Sequence, residues 1–267
     1  MHRKQLSPEE ILKLKTSHFE LQAYTGATKH LGGLKATREL IDLCHIEEGK
    51  YILDVGCGVG ITPCYIAKRY DCRVIGVDIS KRMIDKSNER AKRKGVESRV
   101  EFKVADVQNL PFDDALFDVV IGESVTAFVE DKQRAVREYI RVTKPGGYIG
   151  FNEATWIRVP PPKELIGYVS SRFDAGVEFL TSDGWEELLE GHDLKDMVVR
   201  TCKINILTEY INRIRQLGFE EFSMFYKIIS LYIKNKAFRK YVKETWTAIP
   251  LRKFFKYLGY GIYVGRK

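Results

Sequence analysis

The sequence lacks the features typical of secreted, disulfide-bonded and membrane-spanning proteins. It contains no Asn-x-Ser/Thr acceptor for glycosylation, no apolar run near the ~20 residues that cross a bilayer, and no apolar secretory segment in its first ten residues. Its five cysteines are scattered and never form Cys-x-x-Cys, which argues against a disulfide framework and a zinc site. We therefore expect a cytoplasmic protein with free thiols, no metal and no membrane association.

The charge of the chain is small overall but unevenly distributed. The 267 residues have a net charge of +8, whereas residues 203–267 alone contain 14 Lys/Arg and 4 Asp/Glu, a net +10. The same segment contains 14 of the 31 aromatic residues. Such a segment can bind nucleic acid or an anionic small substrate, and it is equally typical of the Lys-rich surface of a thermophilic protein. The hydrophobic content of 44% excludes intrinsic disorder.

The central part of the chain alternates short runs rich in Val and Ile with helical stretches. Strands are predicted at 51–55, 73–77, 100–104, 118–121 and 148–151, and helices at 62–70, 81–94 and 132–142. Strands separated by helices indicate right-handed crossovers and a mostly parallel sheet with both faces covered. Around this centre, the pattern predicts helices over 8–18, 34–44 and 182–190, strands over 194–204 and 259–264, and three or four helices within 205–258.

A glycine-rich turn follows the first predicted strand. In YILDVGCGVG, Asp54 precedes Gly56, Gly58 and Gly60, which stand at alternate positions before a helix. Glycine lets the backbone approach a ligand closely, and the helix aims N–H groups at it. The spacing differs from the dinucleotide fingerprint, and the absence of a following Gly-Lys-Ser/Thr excludes a P-loop.

Acidic residues stand at the ends of the next two predicted strands. Asp78 ends the second strand, where a carboxylate can accept both hydroxyls of a ribose. Asp106 follows the third, where it can accept from an exocyclic amine. One strand-end Asp is commonly a helix cap, but three such acids beside the glycine turn indicate a cofactor site.

Four segments, DVGCGVG, GVDIS, ADVQNLPFDDALFDVVIGESV and RVTKPGGYIGF, resemble in order and spacing the successive motifs of small-molecule class I S-adenosylmethionine-dependent methyltransferases. The resemblance covers about residues 51–151. It implies an α/β fold with a doubly wound, Rossmann-like, seven-stranded sheet, mostly parallel with an antiparallel last strand, and S-adenosyl-L-methionine as the cofactor. Upstream, YTGATKHLGG resembles the cofactor lid segment of such enzymes.

By position, the resemblance implies a role for each motif residue. The glycine turn would line the methionine part of the cofactor, Asp54 would orient its ammonium, and Asp78 would hold the ribose. The residues around Asp106 would flank the adenine, and Glu123 would face the sulfonium. The complete implied set is Tyr24, Gly32, Asp54, Gly56, Cys57, Gly58, Asp78, Ile79, Ala105, Asp106, Val107, Glu123 and Ser124.

Methyl transfer is an in-line displacement, so the protein must mainly align the acceptor and exclude water. A general base is needed only if the acceptor carries a proton late in the reaction. The candidate catalytic residues are Glu123, Glu153 and His30. Each has an alternative role: Glu123 as a cofactor or loop anchor, Glu153 as a helix cap, and His30 in a loop hydrogen bond.

The expected acceptor is a small or medium-sized molecule methylated on N, O or C. Gly122-Glu123-Ser124-Val125 replaces the Asn/Asp-Pro-Pro-aromatic run that base-directed amino methyltransferases use to hold a flipped base. The alternative is methylation of an RNA base, with the basic segment 203–267 binding phosphates. The expected organisation is N-terminal helices and cofactor lid at 1–45, a core at 46–155, 182–204 and 259–267, and a helical lid at 156–181 and 205–258. Aromatics of this lid, such as Phe222, Tyr226 and Trp246, are expected to line the acceptor pocket.

Overall fold

A computed structural model describes residues 22, 30–173, 177–205, 219–236, 238–239, 242–243 and 251–267. Four features named in the sequence analysis lie outside the described residues: the predicted helix over 8–18, Tyr24, Trp246 and the side chain of Phe222. The described elements are α1 (Gly33–Leu43), β1 (Tyr51–Val55), α2 (Ile61–Tyr70), β2 (Arg73–Asp78), α3 (Lys81–Lys94), β3 (Val100–Val104), β4 (Phe117–Glu123), a 3₁₀ turn (Thr126–Phe128), α4 (Lys132–Val142), β5 (Thr143–Trp156), α5 (Lys163–Arg172), β6 (Leu180–Thr181), α6 (Ser182–Glu190), β7 (Lys195–Lys203), α7 (Phe219–Lys234), α8 (Leu251–Tyr257) and β8 (Leu258–Arg266).

One sheet organises the fold. The strand order is β3-β2-β1-β4-β5-β8-β7, with β6 pairing beside β5. Strands β1 to β5 pair in parallel, whereas β8 runs antiparallel to both β5 and β7. The predicted sheet, mostly parallel with an antiparallel last strand, is confirmed, and the two-residue β6 is an addition to the expected seven strands.

Helices on both faces explain why the inner strands are continuous apolar runs. Ile52 and Leu53 point to opposite faces of β1, yet both have no exposed surface, and they belong to two different clusters of buried side chains. A parallel sheet requires this double cover, because each crossover places a helix on one face. The carboxyl ends of β1 to β4 therefore share one edge of the sheet.

Strand β5 is much longer than the predicted 148–151. It runs from Thr143 to Trp156 because it pairs with β4 on one side and with β8 on the other, from Tyr148↔Arg266 to Trp156↔Leu258. The sequence predicted a shorter strand because polar residues follow position 151. They are nevertheless fully buried and hydrogen-bonded: the hydroxyl oxygens of Thr155 and Tyr263, for example, are 3.0 Å apart.

Aromatic side chains connect the predicted insert to the end of the chain. The Trp156 ring lies 6.2 Å from Phe179 and 6.2 Å from Phe254 (centroid distances), and Tyr168 of α5 lies 5.6 Å from Phe254 of α8. In contrast, Tyr226 of α7, expected in an acceptor pocket, is 58% exposed. The division into core and lid stays a prediction. None of the described helices is both long and apolar enough to span a bilayer.

Two glycines provide a matched test of how closely α1 packs on β5. A Cβ at Gly150 would lie 2.4 Å from Cys44 Sγ and 2.7 Å from Leu40 Cδ1, whereas a Cβ at Gly167 within α5 would meet nothing within 4 Å. We expect Gly150→Ala to lower the free energy of unfolding by about 1–3 kcal/mol through overpacking. Gly167→Ala should raise it by about 0.4–1 kcal/mol by restricting the unfolded chain. Urea denaturation of both variants checks this, and equal midpoints would contradict the packing.

Candidate cofactor site

The turn after β1 requires glycine at three positions. Gly56, Gly58 and Gly60 have φ of +66°, +55° and +74°, in the left-handed region that glycine adopts without steric cost. At Gly56 space is also limiting, because a Cβ there would lie 2.2 Å from Cγ2 of Val125. The glycine turn therefore lies directly against the segment that follows β4.

Asp78 connects the glycine turn to the start of α3. Its Oδ2 accepts a hydrogen bond from Gly58 N (3.0 Å), and its Oδ1 accepts one from Ser80 N (2.8 Å). Burial raises the pKa of Asp78, although these two N–H groups partly offset the effect. The neighbouring Ile79 is 74% exposed, so an apolar surface lies open beside the carboxylate.

Asp106 occupies the corresponding place after β3. Its Oδ1 accepts from the backbone N of Gln108 at 2.9 Å, and the residue is exposed. The flanking Ala105 and Val107 are each only 8% exposed, and Ala105 N donates to Asp78 O at 3.1 Å. This outer part of the sheet edge is consequently open to solvent at the Asp106 carboxylate and at Ile79.

Asp54 is the most deeply buried acid of the group. It is 2% exposed, and its carboxylate has no hydrogen-bond or ion-pair partner among the described residues. Burial and then the charges of Glu123 and Asp78 raise its pKa well above the ordinary value. A buried carboxylate without a donor is unfavourable, so a cationic ligand would be stabilised here.

Glu123, at the end of β4, is held by hydroxyl groups from two helices. Thr37 of α1 donates to Oε1 at 2.9 Å, and Thr62 of α2 donates to Oε2 at 2.7 Å. His30 Nε2 lies 3.0 Å from Thr37 Oγ1 and 3.6 Å from Glu123 Oε1. Three separate parts of the chain thus converge on one carboxylate.

The segment after Glu123 is held by β5. Ser124 N donates to Asn152 O at 2.7 Å. The Glu153 carboxylate accepts from the backbone N of Val125 (3.0 Å), Thr126 (2.7 Å) and Ala127 (3.4 Å). Glu153 has no exposed surface, and burial raises its pKa to about 7 against the opposing effect of these N–H groups. Its contacts favour the capping alternative, while the catalytic role predicted for it stays a prediction.

The remaining predicted positions are small and tightly packed. Burial raises the pKa of the Cys57 thiol well above its ordinary value, so this group is a neutral packing residue. A Cβ at Gly32 (φ +82°) would lie 2.6 Å from Ala36 Cβ and Tyr260 Cζ. Across the described part of the chain, no cluster of three or more His, Cys, Asp or Glu could hold a metal ion.

Much of this sheet edge lies within a segment that matches a known protein family. The family profile described as "Methyltransferase domain" matches residues 53–151. Residues 53–151 are thus similar to a methyltransferase domain. The resemblance found in the sequence is therefore confirmed, and the acids and the glycine turn described above lie within or beside the matched segment.

Curated relatives of this chain include two plant enzymes. Phosphoethanolamine N-methyltransferase of Triticum aestivum is 30% identical over 167 residues, covering 62% of this chain and 32% of that protein. Ajmaline N-methyltransferase of Rauvolfia serpentina is 35% identical over 147 residues, covering 51% of this chain and 50% of that protein. The chain spans about a third of the length of the wheat relative.

Solved structures share the fold across nearly the whole chain. Phosphoethanolamine N-methyltransferase 2 of Haemonchus contortus in complex with S-adenosyl-L-methionine has a TM-score of 0.74 at 20% identity, covering 99% of this chain and 61% of that one. The [4+2]-cyclase SpnF has a TM-score of 0.71 at 18% identity, covering 96% of this chain and 94% of that one. Because the second is named for a different reaction, the fold by itself does not establish methyl transfer.

The sheet brings most of the predicted residues to one edge. Asp54, Asp78 and Glu123 surround the glycine turn, whereas Asp106 lies further out and Tyr24 is outside the described residues. Sequence reasoning missed Thr37 and Thr62, which hold Glu123. Thr62 stands directly after the glycine turn at the start of α2, a position that could have indicated a contact with the site, but nothing in the sequence marked Thr37.

The raised pKa of Asp54 predicts a pH-dependent stability. In the ligand-free protein the folded state retains the Asp54 proton to higher pH than the unfolded chain, so this group lowers the free energy of unfolding as pH rises from about 4 through its native pKa. We expect Asp54→Asn to raise the free energy of unfolding at pH 8 by about 0.5–2 kcal/mol. The gain should shrink toward pH 4.

Asp118→Asn is the matched control, measured by urea denaturation at pH 5 and pH 8. Burial raises the pKa of Asp118, but the Lys144 ammonium and the Tyr51 N–H outweigh it and leave the pKa below its ordinary value. Asp118 therefore raises the free energy of unfolding at pH values above its ordinary pKa, the opposite of Asp54. This contribution is lost as the pH falls. A loss of stability in Asp54→Asn at pH 8 would contradict the proposed electrostatic cost.

Proposed function

We propose that the chain is an S-adenosylmethionine-dependent methyltransferase acting on a small or medium-sized acceptor. The buried Asp54 carboxylate, which lacks a donor among the described residues and lies near the charges of Glu123 and Asp78, supports this proposal. S-adenosylmethionine carries an ammonium and a sulfonium, and both cations favour an acidic site. The pyrophosphate of a dinucleotide would instead be repelled by the same charges.

The residues at the sheet edge fit the parts of this cofactor. Asp54 would bind the ammonium, the backbone of Gly56 and Gly58 would line the methionine part, and Asp78 would accept from the ribose hydroxyls. The exposed side chain of Ile79 would pack on the adenine, with Asp106 near its amine. The bound cofactor supplies a methyl group already activated by the sulfonium, so the protein mainly aligns the acceptor and excludes water.

Glu123 is proposed as an anchor for the cationic end of the cofactor. Each of its carboxylate oxygens already accepts from a threonine hydroxyl, which fixes the side chain beside Asp54. A general base must reach the proton of the acceptor, and His30 remains the second candidate because its ring contacts the same cluster.

A small acceptor is supported by the relatives named above, whose names refer to phosphoethanolamine and ajmaline. The net charge of +10 over residues 203–267 suits an anionic group on that acceptor. None of these relatives is named for RNA, and the segment Gly122–Val125 lacks a stacking platform for a base. A cytoplasmic location is also proposed, since all five cysteines are free thiols.

Transfer of a labelled methyl group tests this function. The protein is incubated with methyl-labelled S-adenosylmethionine and, in separate reactions, with phosphoethanolamine, ethanolamine, a metabolite extract or total RNA. We expect label in a small molecule, and Asp78→Asn should reduce it, whereas Asp85→Asn on the exposed face of α3 should not. Label in RNA alone would support the alternative acceptor, and no calorimetric binding of the cofactor would overturn the proposal.

Glu123→Gln distinguishes an anchor from a base. For an anchor, the Kd for S-adenosylhomocysteine should rise about tenfold, because a hydrogen bond to a charged group contributes roughly 1.5–3 kcal/mol, while kcat at saturating cofactor changes little. For a base, kcat should fall by about 10²–10⁴ with little change in Kd. Glu39→Gln is the control, because Glu39 lies on α1 and bonds to Arg200.

A further inference from the structure

We propose that Glu153 is a positioning residue, whose carboxylate fixes the turn over residues 124–128 against Gly56 and so sets the methionine end of the cofactor site. This inference rests on the proposed function and deepens it. It assigns no contact between Glu153 and the reacting atoms. Glu153 acts by holding the turn in place.

Two adjacent residues of β5 hold four consecutive backbone N–H groups. The carbonyl oxygen of Asn152 accepts from Ser124 N, and the Glu153 carboxylate accepts from the next three residues in order. These are the N–H groups where β4 ends and the 3₁₀ turn Thr126–Phe128 begins. A helical turn leaves its first N–H groups without partners of its own, so Glu153 supplies them.

The turn so held is strained. Ser124 has φ of +58°, a left-handed conformation that is uncommon for a residue other than glycine and persists only where surrounding contacts impose it. The next residue, Val125, approaches Gly56 so closely that a Cβ at position 56 would lie within 2.2 Å of Cγ2. Movement of the turn would therefore move the surface against which the glycine turn packs.

The opposite end of the turn faces the aromatic cluster of the predicted lid. Phe128 has its ring centroid 5.3 Å from Phe173 and 5.9 Å from Phe179. One short segment thus lies between the glycine turn and the side chains that follow α5. Its position is expected to affect both cofactor affinity and the alignment of the acceptor.

The ionised form of Glu153 suits this role. A carboxylate can accept all three N–H bonds, whereas in the acid one oxygen becomes a donor. Burial raises the pKa of Glu153 to about 7. The titratable groups whose charges interact with it are Lys132 and Tyr139 of α4 and Tyr263 of β8. The turn is therefore expected to loosen as pH falls below about 7.

The test compares Glu153→Gln with Glu138→Gln. Glu138 also accepts from a backbone N–H, that of Leu110 at 2.7 Å, and pairs with Arg141 away from the glycine turn. Calorimetry with S-adenosylhomocysteine at pH 6, 7 and 8 gives the Kd of each folded variant. We expect Glu153→Gln to weaken binding at pH 8 about tenfold, within the usual range of coupling between sites. Its deficit should shrink at pH 6, and Glu138→Gln should bind like the original protein.

Val125→Ala keeps the inference testable if Glu153→Gln does not fold. It removes the contact with Gly56 while leaving the Glu153 bonds intact, so it should weaken binding severalfold. Where both variants fold, the double variant should lose less affinity than the two single losses predict, because contacts in one network are not additive.

The outcomes separate this inference from the proposed function. If the original protein does not bind S-adenosylhomocysteine, the proposed function fails and this inference fails with it. If it binds, and folded Glu153→Gln and Val125→Ala bind equally well, only the positioning role is overturned. A lower melting temperature in Glu153→Gln with an unchanged Kd would likewise reduce Glu153 to a structural cap.

Discussion

The structure depends on a concentration of negative charge at the carboxyl ends of parallel strands. Burial, and then the charges of Glu123 and Asp78, raise the pKa of Asp54 well above its ordinary value. Threonine hydroxyls and backbone N–H groups stabilise Glu123 and Asp78, but for Asp54 no such donor lies in the described part of the chain. In the proposed function a cation completes the electrostatics of this site, and Asp54 is expected to lower the stability of the ligand-free protein.

The sequence predicted this edge well because its determinants are local. Alternation of apolar runs and helical stretches locates β1, β2 and β3 along the chain, and the three glycines occupy positions where φ is positive. The acids were found for the same reason, since each follows directly from the end of a strand. The residues at the carboxyl end of a strand can be predicted from the local sequence, without knowledge of the rest of the molecule.

The contacts that hold these acids could not be predicted in this way. The Thr37–Glu123 bond joins residues 86 apart in sequence, and the Thr62–Glu123 bond joins residues 61 apart. Thr37 does not differ in pattern from an ordinary helical residue, and only its place after the glycine turn distinguishes Thr62. The length of β5 was underestimated for a related reason, because buried polar residues such as Asn152 and Glu153 are favourable only with their partners in place. Along α7, Tyr226, Ile229 and Tyr232 recur at helical spacing, yet all three are substantially exposed. Periodicity defines one face of a helix, but it does not show what covers that face.

A shared fold with a [4+2]-cyclase and with phosphoethanolamine methyltransferases means that the sheet edge alone cannot decide the reaction. The acids and the glycine turn are the residues proposed to bind the cofactor at the ends of β1 to β3. The predicted lid, which includes the insert around α5, is the part of the chain expected to select the acceptor. The turn over residues 124–128 is the physical link between the two, because Val125 contacts the glycine turn while Phe128 contacts the insert. If Glu153 positions that turn as proposed, its rigidity should affect how the acceptor aligns with the cofactor.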